Sequence, residues 1–262
     1  MQQDTFVSHL IELRERVMHA LLAVLGVFVV LVLWPGAGPI YDFLAAPLTH
    51  ALPEGAKMIA TGVITPFMVP MKVTALLAFL VALPYVLWQA WAFVAPGLYE
   101  HEKKLAVPII IASTLLFLVG VAFCYYFVFG TVFRFINDFA PKSITPAPDI
   151  EAYFSFVITM FMAFGLTFEI PIVVVILVRA GVVSVEKLNE VRPYVIVGAF
   201  IVAAVVTPPD VLSQLMLAVP MCLLYEAGIF LARFVTKPPG GKSDYRAPSD
   251  EEMERELDRT DR

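Results

Sequence analysis

The sequence predicts an all-α polytopic membrane protein, with six transmembrane helices in a kinked, cupped bundle and both termini in the cytoplasm. Hydrophobic residues make up 60% of the 262 residues and charged residues only 16%, the reverse of what a water-exposed surface needs. The apolar residues form six long stretches, and basic residues gather at alternate ends of them. The stretches are Val17 to Trp34, Phe67 to Val94, Leu105 to Phe133, Tyr153 to Val178, Pro193 to Thr207 and Val211 to Phe234.

Five of the stretches reach the ~18 to 20 residues that a spanning helix requires. The fifteen residues from Pro193 to Thr207 make a helix of only about 22 Å, short of the ~30 Å hydrocarbon core. We therefore expect this fifth span to be buried against its neighbours or to thin the bilayer locally. Prolines remove a helix hydrogen bond and bend the axis, which favours a cupped bundle. They interrupt four stretches, at Pro84, Pro108, Pro171 and Pro220.

The basic residues orient the bundle. By the positive-inside rule, the end that is richer in lysine and arginine is cytoplasmic, and both termini lie there. No cleaved signal peptide is expected, because Asp4, Glu12 and Glu15 precede the first stretch. The richer end carries Arg14, Arg16, Lys103, Lys104, Arg179, Lys187, Arg192, Arg233 and Lys237, and the other carries Lys57, Lys72, Arg134 and Lys142.

The chain divides into three parts. Residues 1–16 repeat apolar side chains at helical spacing and are predicted to form a cytoplasmic interfacial helix that continues into the membrane. Residues 17–235 form the transmembrane domain, with extracytoplasmic cap loops at 35–66 and 137–152, and a short amphipathic helix is expected near Ile40 to Leu44. Residues 236–262 alternate charges and have little to bury, so they are predicted to be a disordered cytoplasmic tail.

Glu169 stands inside an apolar run from Phe154 to Val178, too deep to reach water. An ionisable residue at such a place is a functional-site hypothesis. The alternative is a protonated, hydrogen-bonded core residue, because hydrocarbon disfavours a charge, and both can hold together. Asp210 and Gln214, at the start of the sixth stretch, are further candidates for intramembrane partner docking.

Glu12 and Glu102 are acidic residues at the positively charged end of the bundle. Together they could accept guanidinium groups, which bind carboxylates bidentately and prefer partly shielded sites. Alternatively they pair within the chain with neighbouring arginines or lysines, at under about 1 kcal/mol each. Spacing alone favours the internal pairs.

Catalysis is not expected. Cys124 and Cys222 lie in different apolar stretches without CxxC spacing, so they are read as small core hydrophobes. The residues from Gly241 to Ser243 imitate the end of a phosphate loop, but Thr236 stands where its first glycine is needed. Neither HExxH nor GxSxG occurs. We expect no cofactor, no metal and no nucleic acid.

Five segments between Phe6 and Phe234 resemble the TatC subunit of the twin-arginine protein translocase. The resemblance implies a receptor in the bacterial cytoplasmic (inner) membrane that binds the twin-arginine signal peptides of folded cargo. It also implies self-association, single-span TatA-type and TatB-type partners, and a protonmotive force that drives export. The segments are HLIELRER at His9 to Arg16, APL at Ala46 to Leu48, WAFVAPGLYEHEKK at Trp91 to Lys104, FGLTFEIP at Phe164 to Pro171, and RPYVIVGAF with TPPD within Arg192 to Asp210.

The resemblance implies site residues as well. Glu169 matches the family's intramembrane glutamate, where a polar residue of a partner helix is thought to meet it. The signal-peptide site is expected on the cytoplasmic face, with two carboxylates for the arginine pair and further residues around them. These are Glu12 and Glu102, with Arg14, Pro47, Phe93 and Tyr99 as the further candidates.

Two other classes of function stay open from the residues. In a proton-coupled small-molecule secondary transporter, Glu169 would be the proton site and prolines would break helices around a midplane cavity. No clear inverted repeat supports this alternative. A passive assembly scaffold is the third class.

Overall fold

The computed structural model describes residues 2–51, 58–94, 103–139, 141, 147–207 and 210–235. Within these ranges six helices are long and apolar enough to cross a membrane, as predicted. A π-helical turn at Cys124–Val128 joins α4 to α5. The helices are α1 (Gln2–Leu33), α2 (Ala37–Ala51), α3 (Thr65–Val94), α4 (Lys103–Phe123), α5 (Phe129–Phe139), α6 (Ile150–Arg179), α7 (Val185–Val206) and α8 (Val211–Val235).

The predicted interfacial helix and the first span are one continuous helix, α1, of 32 residues. It packs along α3, and none of the apolar window in Leu10–Leu33 is buried within the protein. Lipid tails are as apolar as leucine, so such a surface is stable in hydrocarbon. The predicted tail, residues 236–262, lies outside the described residues.

The fifth span is longer than its apolar stretch. Its helix, α7, begins at Val185, where the hydroxyl of Ser184 accepts the N–H of Lys187 at 3.2 Å. The resulting 22 residues make a helix of about 33 Å, enough to cross the hydrocarbon core. The expectation that neighbours bury this span is wrong, since only 11% of its apolar window is buried. The helix starts before its apolar stretch because Ser184 caps it at Val185, so its first two turns are polar.

The helices continue through their prolines. Pro70 lacks the N–H that would bond to the carbonyl of Pro66, and neighbouring helices and local backbone adjustments make such prolines tolerable in membrane helices. Two of these prolines, Pro70 and Pro193, were not among the four interruptions expected. Prolines lie inside helices at Pro70, Pro84, Pro108, Pro171, Pro193 and Pro220.

Two clusters of buried side chains hold the bundle together, and α6 belongs to both. The larger one joins α3, α4, α5 and α6 around Phe117 and Phe164. The smaller one joins α6, α7 and α8 around Val174 and Tyr225, and the Tyr225 hydroxyl donates to the carbonyl of Leu188 at 2.9 Å. Helix α6 is therefore the central element of the protein.

The two loops predicted to form a cap contact each other. Ile59 and Asp149 form a parallel β-bridge, in which Ile59 donates to the carbonyl of Pro148 at 3.0 Å and Ile150 donates to that of Ile59 at 2.9 Å. The amphipathic helix expected near Ile40 to Leu44 is present as the 15-residue α2. The cap is thus one structure built from both loops.

Asp149 fixes the start of α6 and the first cap loop at once. Its Oδ1 accepts the backbone N–H groups of Glu151 at 2.8 Å and Ala152 at 3.1 Å. Its Oδ2 accepts the hydroxyl of Thr61 at 2.6 Å and the N–H of the same residue at 3.1 Å. These hydrogen bonds hold the pKa of Asp149 below its ordinary value of 3.8, and the bond from the Thr61 hydroxyl has the largest effect.

We predict that Asp149→Ala lowers the Tm of the purified protein at neutral pH, because the helix cap and the tie to Thr61 are lost. A carboxylate with a depressed folded-state pKa stabilises above its unfolded-state value, and this contribution is lost as the pH falls through the folded-state value. The Tm difference from wild type should therefore be constant above about pH 5 and shrink below 3.8. Asp42→Ala is the control, and an undiminished difference at low pH would contradict the role of the carboxylate.

Helices α4 and α6 approach closely at two glycines. A Cβ at Gly120 would lie 2.6 Å from the carbonyl oxygen of Phe164, and one at Gly165 would overlap the ring of Phe117. Small residues allow membrane helices to approach this closely. The contact sets the spacing of α4 and α6 for the polar side chains farther along them.

We predict that Gly120→Ala destabilises the protein by about 1 to 3 kcal/mol, because its Cβ meets backbone that cannot move aside. Gly198→Ala is the matched control, since a Cβ there meets nothing within 4 Å. Thermal unfolding in detergent measures both. If the two variants melt alike, the close approach of α4 and α6 is not required for stability.

Candidate functional site

A chain of hydrogen bonds joins three helices inside the bundle. The indole Nε1–H of Trp91 on α3 donates to the hydroxyl of Ser113 on α4 at 2.9 Å. That hydroxyl donates to Oε2 of Glu169 on α6 at 2.7 Å. Glu169 is 6% exposed, and Ser113 is fully buried. Oε1 of Glu169 is also buried, and no described residue hydrogen-bonds to it, so the carboxyl is satisfied on one oxygen only.

No sequence pattern predicts a role for Ser113 or Trp91. Ser113 is a polar residue in the apolar stretch from Leu105 to Phe133, and that was the available signal. Most hydroxyls in helices bond to their own backbone, as the adjacent Thr114 does to the carbonyl of Ile110 at 2.8 Å. Only the packing of α3, α4 and α6 distinguishes the two hydroxyls.

Glu12 lies on α1 and pairs with Arg16 one helical turn later. Arg16 donates to Oε1 of Glu12 from Nε at 2.9 Å and from Nη2 at 2.6 Å. The Glu12 side chain is 41% exposed and the Arg16 side chain 27%. An ion pair of this exposure contributes little to stability. The internal pairing that spacing favours is therefore present for Glu12, but it is weak enough to be exchanged. Arg14, also predicted for this site, is exposed.

An apolar groove of about 340 Å³ lies between α1 and α3. Its walls include Leu13, Val17 and Leu21 of α1 with Val86, Ala90 and Phe93 of α3, and its polar lining residues are Arg16 and Gln89. The structure thus brings one predicted site residue, Phe93, to the same groove as the arginine that binds another, Glu12. The carboxylate of Glu12 therefore lies beside the apolar groove between α1 and α3, with Arg16 between them.

The structure does not bring Pro47 to this groove. Glu12 and Phe93 lie toward the start of α1 and the end of α3, which pack together. Pro47 lies in α2, which follows the other end of α1 and contacts α3 and α5. The cap at the opposite end of the bundle therefore contains Pro47, away from this groove. Tyr99 and Glu102 lie outside the described residues.

Asp210 and Gln214 do not join Glu169. Asp210 accepts a backbone N–H of α8 at 2.7 Å and so caps that helix, and Gln214 donates to a backbone carbonyl of α7 at 3.3 Å. Gly228 of α8 lies against Pro171 of α6, next to Glu169. Gln214 precedes Gly228 by 14 residues (228 − 214), or about 21 Å along the helix. These polar residues lie apart from Glu169, nearer the start of α8.

The family described as Sec-independent protein translocase protein (TatC) has a model that matches residues 8–220. The chain belongs to the TatC family. TatC of Haemophilus influenzae is 48% identical over 233 residues, which cover 89% of this chain and 90% of that protein. TatC of Escherichia coli K12 is 46% identical over 234 residues, covering 88% and 90%, and TatC of Aquifex aeolicus is 35% identical over 233 residues, covering 88% and 95%.

A solved structure agrees with this assignment. The crystal structure of a twin-arginine translocase receptor, TatC, superimposes with a TM-score of 0.76 at 36% identity, covering 87% of this chain and 100% of that one. The predicted all-α, six-span fold and the predicted family are both confirmed. TatC is a translocase component rather than an enzyme, and membership of this family supports that function over a small-molecule transporter.

Proposed function

We propose that this chain is the signal-peptide receptor and core membrane subunit of a twin-arginine translocase, which exports folded proteins by using the protonmotive force. It spans the bacterial cytoplasmic membrane with both termini in the cytoplasm. TatA-type and TatB-type single-span proteins and further copies of the chain are its partners in the complex. Family membership over most of the chain supports this proposal.

The observation that carries the receptor role is the apolar groove beside the Glu12–Arg16 pair. Export signals combine a positively charged segment with an apolar one, and the twin-arginine signal is an address read by a receptor. A signal guanidinium can replace Arg16 on Glu12, because the existing pair is partly exposed and weak. The apolar segment of the signal can then enter the groove along α1 and α3.

Glu102 supplies the second carboxylate in this proposal, with Arg14, Phe93 and Tyr99 around it. Glu102 follows the end of α3 by eight residues (102 − 94), so the connection from α3 to α4 starts at the groove. Two carboxylates match two arginines, and the planar guanidinium binds each of them bidentately.

We predict that Glu102→Gln weakens photocrosslinking of a twin-arginine signal far more than Glu100→Gln does. The amide keeps the size of the side chain and loses the charge-assisted pair, and removing one partner of a shielded pair costs about 2 to 5 kcal/mol. Glu12→Gln acts in the same direction, less strongly, and the exposed Glu15→Gln is its matched control. Crosslinking of a radiolabelled precursor to the chain in membrane vesicles measures all four.

The same precursor with both signal arginines changed to lysine tests the proposed function itself. Lysine keeps the charge and loses the planar fork, so its crosslinking to the wild-type chain should fall sharply. Equal binding of the two precursors would contradict the receptor role. Undiminished binding of the arginine precursor by the double Glu12→Gln, Glu102→Gln variant would remove these two residues from it.

The orientation of the chain has a direct test at two exposed valines, Val182 between α6 and α7 and Val63 in the cap, which are 68% and 100% exposed. We predict that a membrane-impermeant maleimide labels Val182→Cys only from the cytoplasmic side and Val63→Cys only from the outside, because the basic residues mark the Val182 end as cytoplasmic. Wild type measures the background from Cys124 and Cys222. The reverse pattern would invert the topology.

A further inference from the structure

We propose that Arg16 is a built-in competitor for the arginines of the signal peptide, and that it sets the affinity of the receptor site by occupying Glu12 until a signal arrives. This inference rests on the proposed function, in which Glu12 binds a signal arginine. It adds the regulation of that site, because an internal guanidinium must leave Glu12 before an external one can bind there.

The internal pair uses only one oxygen of the carboxylate. Arg16 donates to Oε1 of Glu12 from Nε at 2.9 Å and from Nη2 at 2.6 Å. The two residues are neighbours on one helix, four positions apart, so the backbone of α1 limits how the guanidinium approaches the carboxylate. The strongest guanidinium–carboxylate pairs make two parallel bonds, one to each oxygen. An arginine that comes from outside α1 can adopt that geometry, and it therefore competes favourably with Arg16.

The pair between Arg192 and Glu226 shows the other geometry within this protein. These two residues lie on different helices, α7 and α8. Nε of Arg192 lies 2.6 Å from Oε1 of Glu226, and its Nη2 donates to Oε2 at 2.9 Å. A guanidinium that reaches a carboxylate from a second helix thus contacts both oxygens. A signal arginine approaches Glu12 in the same way, from outside the helix that carries the carboxylate.

The position of Arg16 makes its displacement inexpensive. Leu13, Arg16 and Val17 line the apolar groove on one face of α1, and Glu12 precedes Arg16 by about one turn. The Arg16 side chain is partly exposed. Its charged end can therefore turn toward water when a signal arginine takes its place, while its aliphatic stem stays against the groove. Displacement breaks the internal pair and leaves no buried charge without a partner.

Binding measurements on the full-length chain in lipid vesicles test the competition. The apparent Kd of a fluorescent, folded precursor with a twin-arginine signal is measured for each variant. Arg16→Gln should bind the precursor about two- to fivefold more tightly than wild type, because a weak, exposed pair no longer has to be broken. Arg16→Met, which also keeps an unbranched stem, should do the same. Thermal unfolding of both variants, which should match wild type, checks that the fold is intact.

Two controls separate competition from a general effect of charge. Lys187→Gln removes a lysine that is paired with Glu190 in an exposed ion pair at the start of α7, and it should leave the Kd unchanged. Arg16→Gln in a Glu12→Gln background should also give no gain, since no carboxylate is left to release. Tighter binding by that double variant than by Glu12→Gln alone, or an equal gain from Lys187→Gln, would overturn the inference.

The outcomes also distinguish this inference from the proposed function. If Glu12→Gln weakens binding and Arg16→Gln does not tighten it, Glu12 belongs to the receptor site and the competition by Arg16 is wrong. If Arg16→Gln weakens binding instead, Arg16 helps to hold the signal, and the inference fails again. If Glu12→Gln has no effect on the Kd, Glu12 is not part of the receptor site, and both assignments fail together.

Discussion

Hydrocarbon supplies no hydrogen-bond partner, so each polar group inside this bundle must find one in the protein. Several do so locally. The hydroxyls of Thr74, Thr114 and Thr159 donate to carbonyls of their own helices. The bonds that cross between helices carry more structural information, because they fix how the helices are rotated against each other. The Trp91–Ser113–Glu169 chain does this for α3, α4 and α6 together.

Packing makes that chain possible. Glycines at positions 120 and 165 let α4 and α6 approach until side chain meets backbone, and the two buried clusters meet on α6 on either side of Glu169. The carboxyl is held where packing permits little movement. An unpaired oxygen at such a place is costly, and a rigid surrounding structure is what sustains it. The same close packing on α6 therefore stabilises the bundle and holds the unpaired oxygen of Glu169 in place.

Much of the fold could be predicted from the sequence, because hydropathy, helix length and proline are local properties that the bilayer makes decisive. The six spans and the family motifs belong to this class. The length of α7 was missed because Ser184 starts the helix before the apolar stretch does. Pro47 was grouped by family motif with residues at the other end of the bundle, and local sequence does not show which end of the bundle a residue occupies. The bond from Ser113 to Glu169 depends on how α4 and α6 are rotated, which local sequence does not show either.

The last turn of α3 relates the two candidate sites. Successive residues of an α-helix are rotated by about 100°, so Trp91 and Phe93 point to nearly opposite sides of α3. Phe93 lines the groove against α1, while Trp91 is buried and holds Ser113 on α4. The groove beside Glu12 and the hydrogen-bond chain to Glu169 therefore contact opposite sides of the same turn of α3. A change in the position of this turn would therefore alter the groove and the hydrogen-bond chain together.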